Sequence, residues 1–555
     1  MANRINHLTL TGLVSGVALL HSCSAGAVPA KQSKKSESKQ PNLIFIFSDQ
    51  QSWDMLGCYG NEQLITPRLD KMASEGVMFN YCISINPVSV PNRAMLLTGT
   101  HALRNGALTN DIRPDVTNTT TFAQALQNEG YRTCYIGKWH LFGGNRDRAV
   151  TPDQWLGFDE MYTNNCTLNF MPEHAFFFGS DGNKVKFNDW EAYGQAQQAV
   201  DFINRQPDDR PFALFVSFHP PHDQGASRSA LRYKTIADLM NLYDPASITL
   251  RPNVEEYPGA DWGSTFEETR ADYHGYYAMC TGIDIACGRI FDALENKKRD
   301  DNTLVVYTSD HGDLLKSHGR PWAKSFPEDE SVRVPLLMKF PGKLQPRTSD
   351  LLVGTLDLMP TLLALMDIKV PKSCDGRNLS KAILTRDDNA VKSVPLFYFL
   401  PDWRGVFTKE YTYAFDLLEE RDKESWNVLY DRKEGQYKMQ NRYYDKNYRK
   451  IRQEMHDLAL QWLDHYNDPL QNSRKTLELC GIPDLQLDKQ GAGGILTQSP
   501  YDMFRREGIQ PVRPTVPDDA TEAIWLKRYN DRKEKRIADI AAEKAAGGPT
   551  AIKRR

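Results

Sequence analysis

Ser89 opens the run Ser89-Val90-Pro91-Asn92-Arg93-Ala94-Met95-Leu96-Leu97-Thr98-Gly99. A proline just inside a helix start, followed by apolar residues, puts Ser89 beside a helix N-terminus, where unpaired backbone N–H groups favour an anion. Arg93 lies one turn further along and can reach back to the same anion. Taken alone, a Ser-Pro helix start is most often only a cap. Further clusters concentrate acidic, basic and imidazole side chains: Asp49-Gln50, Lys138-Trp139-His140, His219-Pro220-Pro221-His222 and Asp310-His311. Lys138 and His140 stand two residues apart, so in an extended segment they point the same way. The bland reading of Asp49 and Asp310 is a helix or turn cap and an Asx turn.

These residues follow segments that read as strands. Asn42 to Phe47 is continuously apolar after its first residue and is broken by Ser48-Asp49-Gln50. Thr303 to Tyr307 repeats the pattern ahead of Thr308-Ser309-Asp310-His311-Gly312. Thr133 to Ile136 precedes Lys138, and Phe212 to Phe218 precedes His222. Between them, Phe122 to Asn128 and the stripe Ile283, Ala286, Cys287, Ile290, Leu294 have helical spacing. Strands alternating with helices predict an α/β sheet covered on both faces, with ligands gathering beyond the carboxyl ends of the strands. Each polar cluster falls at such an end. From about residue 392 short strand-like pieces, Val394 to Leu400, Gly405 to Phe407 and Tyr411 to Phe415, predict a small antiparallel sheet. The amphipathic helix His456 to Tyr466 is expected to pack against it.

The 555 residues allow more than one domain. The expected organisation is an export signal over 1–23, a flexible tether over 24–40, a catalytic domain over 41–390, a C-terminal α+β subdomain over 391–480 and a peripheral extension over 481–555. In the first segment Arg4 precedes the mainly apolar run Leu8 to Leu20, which is too short and interrupted for a membrane span but suits export. It resembles a bacterial lipoprotein signal, with Cys23 as the lipid-anchored first residue of the mature chain at the periplasmic or cell surface; a simple cleaved signal is the alternative. The charge balance, 68 basic against 71 acidic residues, demands no nucleic-acid partner. Nine cysteines scattered singly do not make a disulfide framework.

The Ser89, Pro91, Arg93, Thr98 and Gly99 pattern resembles the activation motif of the formylglycine-dependent sulfatases of the alkaline-phosphatase-like superfamily. The similarity continues through Pro41 to Asp49, Leu56 to Gly60, Thr66-Pro67, Leu69-Asp70, Gly76 to Phe79, Gly137 to His140, Pro221-His222, Thr308 to Gly312 and Val334-Pro335. Several motifs in family order over some 300 residues are far more specific than one. The resemblance implies a mixed sheet flanked by helices, and Ser89 oxidised to formylglycine by a radical iron-sulfur maturase. It makes Asp49, Gln50, Asp310, His311 and modified Ser89 the metal ligands. Many relatives have Asp at the position of Gln50, Asn at that of His311 and a small residue at that of Asn92. An oxygen-dominated set points to calcium, and His311 leaves magnesium or manganese open. By the same resemblance Lys138 supports the modified residue and His140 assists collapse of its sulfate ester. His222 binds the ester oxygen and protonates the leaving alcohol, Lys324 clamps sulfate, and His219 is structural or supporting.

The motifs do not specify the alcohol. Trp155 to Asn169, His174, Trp190, Tyr193, Trp403 and Arg404 could border a glycan pocket, although Trp190 and Tyr193 equally suit a core. Family range and an exported address favour a sulfated carbohydrate. The alternatives are a phosphodiesterase or phosphonate monoester hydrolase of the same superfamily, or a noncatalytic glycan-binding lipoprotein.

Overall fold

The computed structural model describes residues 40–143, 146–168, 170–224, 232–256, 265–320, 323–399, 402–416, 427–437, 440–468, 515, 516 and 518–546. The expected signal with Cys23, the tether up to residue 39, and Cys480 lie outside the described residues.

The main sheet has eleven strands: β1 (Asn42–Asp49), β2 (Val77–Ile83), β3 (Arg132–Lys138), β4 (Glu160–Asn164), β5 (Phe176–Phe178), β6 (Lys184–Lys186), β7 (Phe212–Pro221), β8 (Thr303–Ser309), β9 (Arg333–Val334), β10 (Leu336–Lys339) and β11 (Arg347–Gly354). Its order is β11-β2-β10-β8-β1-β7-β3-β4-β5-β6, with β9 paired to β2. The centre, β8-β1-β7-β3-β4, is parallel, and β10 runs antiparallel between β8 and β2. Every residue of β1 is buried. Leu43, Phe45 and Phe47 enter one apolar core, whereas Ile44 and Ile46 enter the other. That alternation is the reason the strand reads as a continuous apolar run: both faces of the sheet are covered.

The helices that cover it include α1 (Pro67–Glu75), α2 (Ser89–Thr98), α3 (Phe122–Asn128), α4 (Glu191–Arg205), α5 (Phe266–Asn296) and α6 (Leu358–Leu365). Thr265 and Glu268 form a reciprocal cap at the start of α5, and Thr121 with Gln124 does the same for α3. Trp190 and Tyr193 are buried against this layer, as core.

A second, four-stranded antiparallel sheet follows: β12 (Val394–Phe399), β13 (Asp402–Phe407), β14 (Tyr411–Asp416) and β15 (Val428–Asp431). Helix α7 (Arg449–His465) packs Ala459 and Leu463 against Val406, Tyr413, Phe415 and Leu429. The main apolar core continues through Val394, Leu396, Trp403 and Phe407 of this sheet, so packing runs unbroken past residue 391. Trp403 and Arg404 lie in the packed interior and not on an open surface: both are fully buried, Trp403 donating to the Ser325 carbonyl and Arg404 pairing with Asp468. In the extension, helix α8 (Asp519–Ala545) is tied to α7 by the ion pair Arg452–Glu522. Among the described residues no helix is long and apolar enough to cross a membrane, and the seven described cysteines are free thiols.

Candidate functional site

Four neighbouring parallel strands end at one edge of the sheet, and each delivers a polar side chain there. Asp49 closes β1, Lys138 closes β3, His222 follows β7, and Asp310-His311 follow β8. Ser89 comes from the next layer as the first residue of α2, six residues after β2. Two glycines permit the close approach. A side chain on Gly137, whose φ is +103°, would meet the Ser217 carbonyl oxygen at 2.1 Å, and one on Gly312 would meet the Glu330 oxygen at 2.0 Å.

His311 Nε2 lies in the middle of the cluster. It stands 3.1 Å from Ser89 Oγ, 3.7 Å from an oxygen of Asp49, 3.7 Å from one of Asp310 and 3.4 Å from Lys324 Nζ. Its Nδ1 is 3.0 Å from the Gly312 carbonyl oxygen. A carbonyl only accepts, so Nδ1 carries the proton and Nε2 keeps its lone pair. Burial holds the His311 imidazole down to about 3, which keeps it neutral.

The two carboxylates are fully buried yet ionised. Burial opposes the charge on Asp49, but Lys138, His222, Arg93 and Lys324 together hold it well below the ordinary carboxylate range. Asp310 is likewise held down, against burial and against the charge of Asp49. Arg93 bridges the pair, donating from Nη2 to Asp49 at 3.0 Å and from Nε to Asp310 at 2.9 Å. Its Nη1 reaches Ser217 Oγ at 2.7 Å and the Lys138 carbonyl at 3.1 Å. The guanidinium therefore supports the carboxylates instead of turning toward an anion at Ser89. Lys138 Nζ also donates to Asp49.

These residues fit a divalent cation. Ligand atoms of Asp49, Asp310 and His311 lie within 4.8 Å of one another, and all three residues are buried. Gln50 adds an observation the carboxylates cannot: its Oε1 is buried and, among the described residues, has no hydrogen-bond partner. Its Nε2 donates to Asp313 Oδ2 at 2.7 Å, an oxygen that also receives the Tyr233 hydroxyl at 2.5 Å. A carboxylate accepts only, so Asp313 fixes the amide with its oxygen turned away from it. A buried amide oxygen left unpaired is costly unless a cation takes it.

His222 and Lys324 meet at 2.8 Å between Nε2 and Nζ. His222 Nδ1 lies 2.7 Å from the Asp223 carbonyl oxygen and 3.0 Å from its carboxylate. Burial and then the charge of Lys324 push the His222 imidazole below its ordinary value. His140 does not continue the strand: its φ is +60°, and its Nε2 faces Asp111 at 3.4 Å. His219 is buried with Nδ1 3.7 Å from Glu191.

Sequence reasoning missed several members. Asp313 could have been read from its place two residues after His311. Asp223 stands next to His222 and could likewise have been read from that adjacency, whereas Tyr233 and Asp111 give no local signal, because their partners Asp313 and His140 are distant in the chain. Cys166, one of the singly scattered cysteines, is held well below its ordinary value by His140 and Lys138, against burial.

The chain is similar to known proteins along most of its length. The Sulfatase family matches residues 41–368, and the C-terminal model of N-sulphoglucosamine sulphohydrolase matches residues 318–464. The chain is 32% identical over 426 residues to an ulvan-active sulfatase of Formosa agariphila, covering 74% of this chain and 78% of that protein. It is 25% identical to an N-acetylglucosamine-6-O-sulfatase of Bacteroides thetaiotaomicron over 81% of this chain and 90% of the relative. The crystal structure of yidJ from Bacteroides fragilis, assigned as a sulfatase, superposes with a TM-score of 0.68 at 30% identity, covering 78% of this chain and 97% of that one. The mixed sheet flanked by helices and the match to the Sulfatase family place the chain among the hydrolases of the alkaline-phosphatase-like superfamily. Within it, the chain belongs to the formylglycine-dependent sulfatases and is a sulfuric ester hydrolase.

Proposed function

We propose that this enzyme removes sulfate from an O-sulfated carbohydrate, with Ser89 oxidised to formylglycine and one calcium ion held by Asp49, Gln50, Asp310, His311 and the modified residue. The observation that carries the site is the position of Ser89. It lies at a helix N-terminus with Oγ 3.1 Å from His311 Nε2 and 3.5 Å from Asp49 Oδ1. The carbohydrate class draws on the saccharide named for the N-acetylglucosamine-6-O-sulfatase relative. Magnesium or manganese would suit the same donors at smaller spacing.

The cation supplies neutralising charge to the ester oxygens. Formylglycine, once hydrated, supplies a nucleophilic hydroxyl and a second hydroxyl that permits sulfate release. The chain's own groups do the rest. Lys324, poised between His222 and His311, turns its ammonium hydrogens to the nonbridging oxygens as charge grows there. His222 holds one proton at Nδ1 toward Asp223 and delivers another from Nε2 to the departing alcohol oxygen. Lys138 and Arg93 keep Asp49 and Asp310 ionised and in place. His140 stands ready to take a proton in the release step. A radical iron-sulfur maturase and export with a lipid anchor at Cys23 complete the proposal.

The experiment is sulfate release from matured protein across O-sulfated saccharide standards, beside matched phosphonate monoesters and phosphodiesters. Turnover of a sulfated saccharide above the phosphorus esters is expected. Faster turnover of a phosphorus ester would overturn the substrate assignment.

A further inference from the structure

A second polar cavity, of about 430 Å³, opens between the edge of the main sheet at β2 and β9 and the loop after β15. Its volume falls in the range of about 300–1,000 Å³ typical of small-molecule sites. Trp53, Tyr59, Asn80, Tyr81, Arg333 and Arg432 line it, with Asp329 and Gln436; none of the residues assigned above to catalysis or metal binding does.

Arg333 is the unusual member. Its residue is 7% exposed, and its guanidinium is sandwiched between Trp53, at 3.7 Å from the ring centre, and Tyr81, at 4.8 Å. Nε donates to the Asn80 carbonyl at 2.6 Å. Among the described residues, Nη1 and Nη2 make no hydrogen bond. They are a planar fork of donors held rigid by two aromatic faces beside open polar space, and such a fork matches an oxyanion in two-point geometry.

Among the described residues, the surrounding charges compensate this cation only in part. Asp329 is the nearby carboxylate, and it is engaged by Arg432 Nη2 at 3.2 Å and by the Thr412 hydroxyl at 3.0 Å. Arg432 is itself fixed over the Phe407 ring and by the Thr408 carbonyl. Two guanidinium groups and one carboxylate give the lining a net charge of +1. Burial, with Arg432 adding to it, lowers the Arg333 pKa against the pull of Asp329. A buried cation with free donors is stabilised by an anion that enters with it.

We propose that this cavity is an oxyanion-binding site separate from the catalytic centre, with Arg333 as its two-point anchor and Arg432 as its second cation. A carboxylate or sulfate group is the ligand chemistry. Such a group reaches the cavity either free in solution or carried on an acidic saccharide.

The test is a concentration series of selenate soaked into crystals of the full enzyme, read by anomalous scattering. Parallel soaks use D-glucuronate, with D-glucose as the uncharged control. Selenate density within hydrogen-bond distance of the Arg333 Nη atoms is expected. Glucuronate binding at lower concentration than selenate would place the anion on a saccharide, whereas selenate alone would assign the site to a free anion. Gln436→Glu puts a carboxylate at the exposed rim without touching the fold, and should raise the half-saturating concentration roughly tenfold while leaving sulfate-ester turnover unchanged. Arg333→Lys should abolish two-point density; where that variant does not fold, Gln436→Glu decides. The proposal is overturned if the cavity holds only water at selenate concentrations that fill the catalytic centre, or if its occupancy is the same in Gln436→Glu.

Discussion

Arg93 and Arg404 are both fully buried, and each is surrounded by carboxylate and carbonyl oxygens. In the small sheet Arg404 donates to both oxygens of Asp468, at 2.5 and 3.3 Å, and to the carbonyls of Tyr398 and Trp403. Among the described residues, the arrangement sets this one cation against this one anion. Arg93 instead spreads over two carboxylates from different strands, while Lys138 and Lys324 crowd the same acids and, among the described residues, the Gln50 amide oxygen has no partner. Equal burial therefore serves two ends. A complete set of partners fixes structure, whereas a deliberately incomplete set leaves room for a cation and an anionic substrate.

Breaking each cluster should separate these roles. Asp49→Asn is expected to lower sulfate-ester turnover by at least on the order of 10³-fold, since it removes charge from the metal donors. Asp468→Asn should instead cost about 3–5 kcal/mol of stability by removing the carboxylate charge that faces buried Arg404, with turnover per folded molecule unchanged. Denaturant unfolding beside initial rates reads both. Replacing Arg404 and Asp468 together by apolar residues should cost far less than the single change. A loss of turnover in Asp468→Asn as large as that in Asp49→Asn would erase the contrast.

His222→Ala should slow a saccharide sulfate by roughly 10²–10⁴-fold and an activated phenyl sulfate far less, because only the poor leaving group needs the proton. Equal slowing of both would remove the proton-donor role. The pH dependence has a defined sign. The His222 pKa lies below its ordinary value, so the protonated donor is depleted as pH rises, and saccharide desulfation should decline on the alkaline side before phenyl sulfate turnover does.

Asp313→Asn tests how Gln50 is held. An asparagine can donate as well as accept, which frees the Gln50 amide to flip; metal affinity should fall about 10–100-fold. Chelator competition measures it without recourse to activity. Affinity equal to that of the parent enzyme would show that Asp313 does not orient Gln50.

The smallest effect concerns His101, which stacks on Tyr466 at 3.9 Å between the two parts of the core. Burial holds its imidazole down to about 3, against an ordinary value near 6.5. The unfolded chain thus binds the extra proton first, so this stability is full above about pH 6.5 and is lost as pH falls toward 3. Between pH 7 and 6 the loss is about 0.7 kcal/mol. His101→Asn, whose side chain can still accept from the Leu103 N–H, should flatten that slope in denaturant unfolding; an unchanged slope would assign it to other groups.

The parallel strands and the residues at their ends were legible in the sequence, because strands buried on both faces are continuous apolar runs that break where polar chemistry begins. Asp49, Lys138, His222 and Asp310 announce themselves in this way. The direction of Arg93 was not legible: one turn of helix brings an arginine equally near an anion beside Ser89 and near carboxylates from other strands, and only the fold decides. His140 escaped because a left-handed residue ends the alternation of the strand. Trp403 and Arg404 misled, since an aromatic beside an arginine reads alike in a sugar pocket and in a sealed core. Gln50 and Tyr233 converge on Asp313 from different elements, a coincidence of packing without local spacing.

The central claim is that this polar cluster acts through an oxidised Ser89. Peptide mass spectrometry quantifies the loss of two hydrogens at Ser89 in preparations made with and without a serine-type maturase, while sulfate release is measured on the same samples. Turnover should rise in proportion to the converted fraction and vanish in the unconverted protein, although both preparations fold alike. Sulfate release by wholly unmodified enzyme at the rate of the matured one, or activity retained in Ser89→Ala, would contradict it.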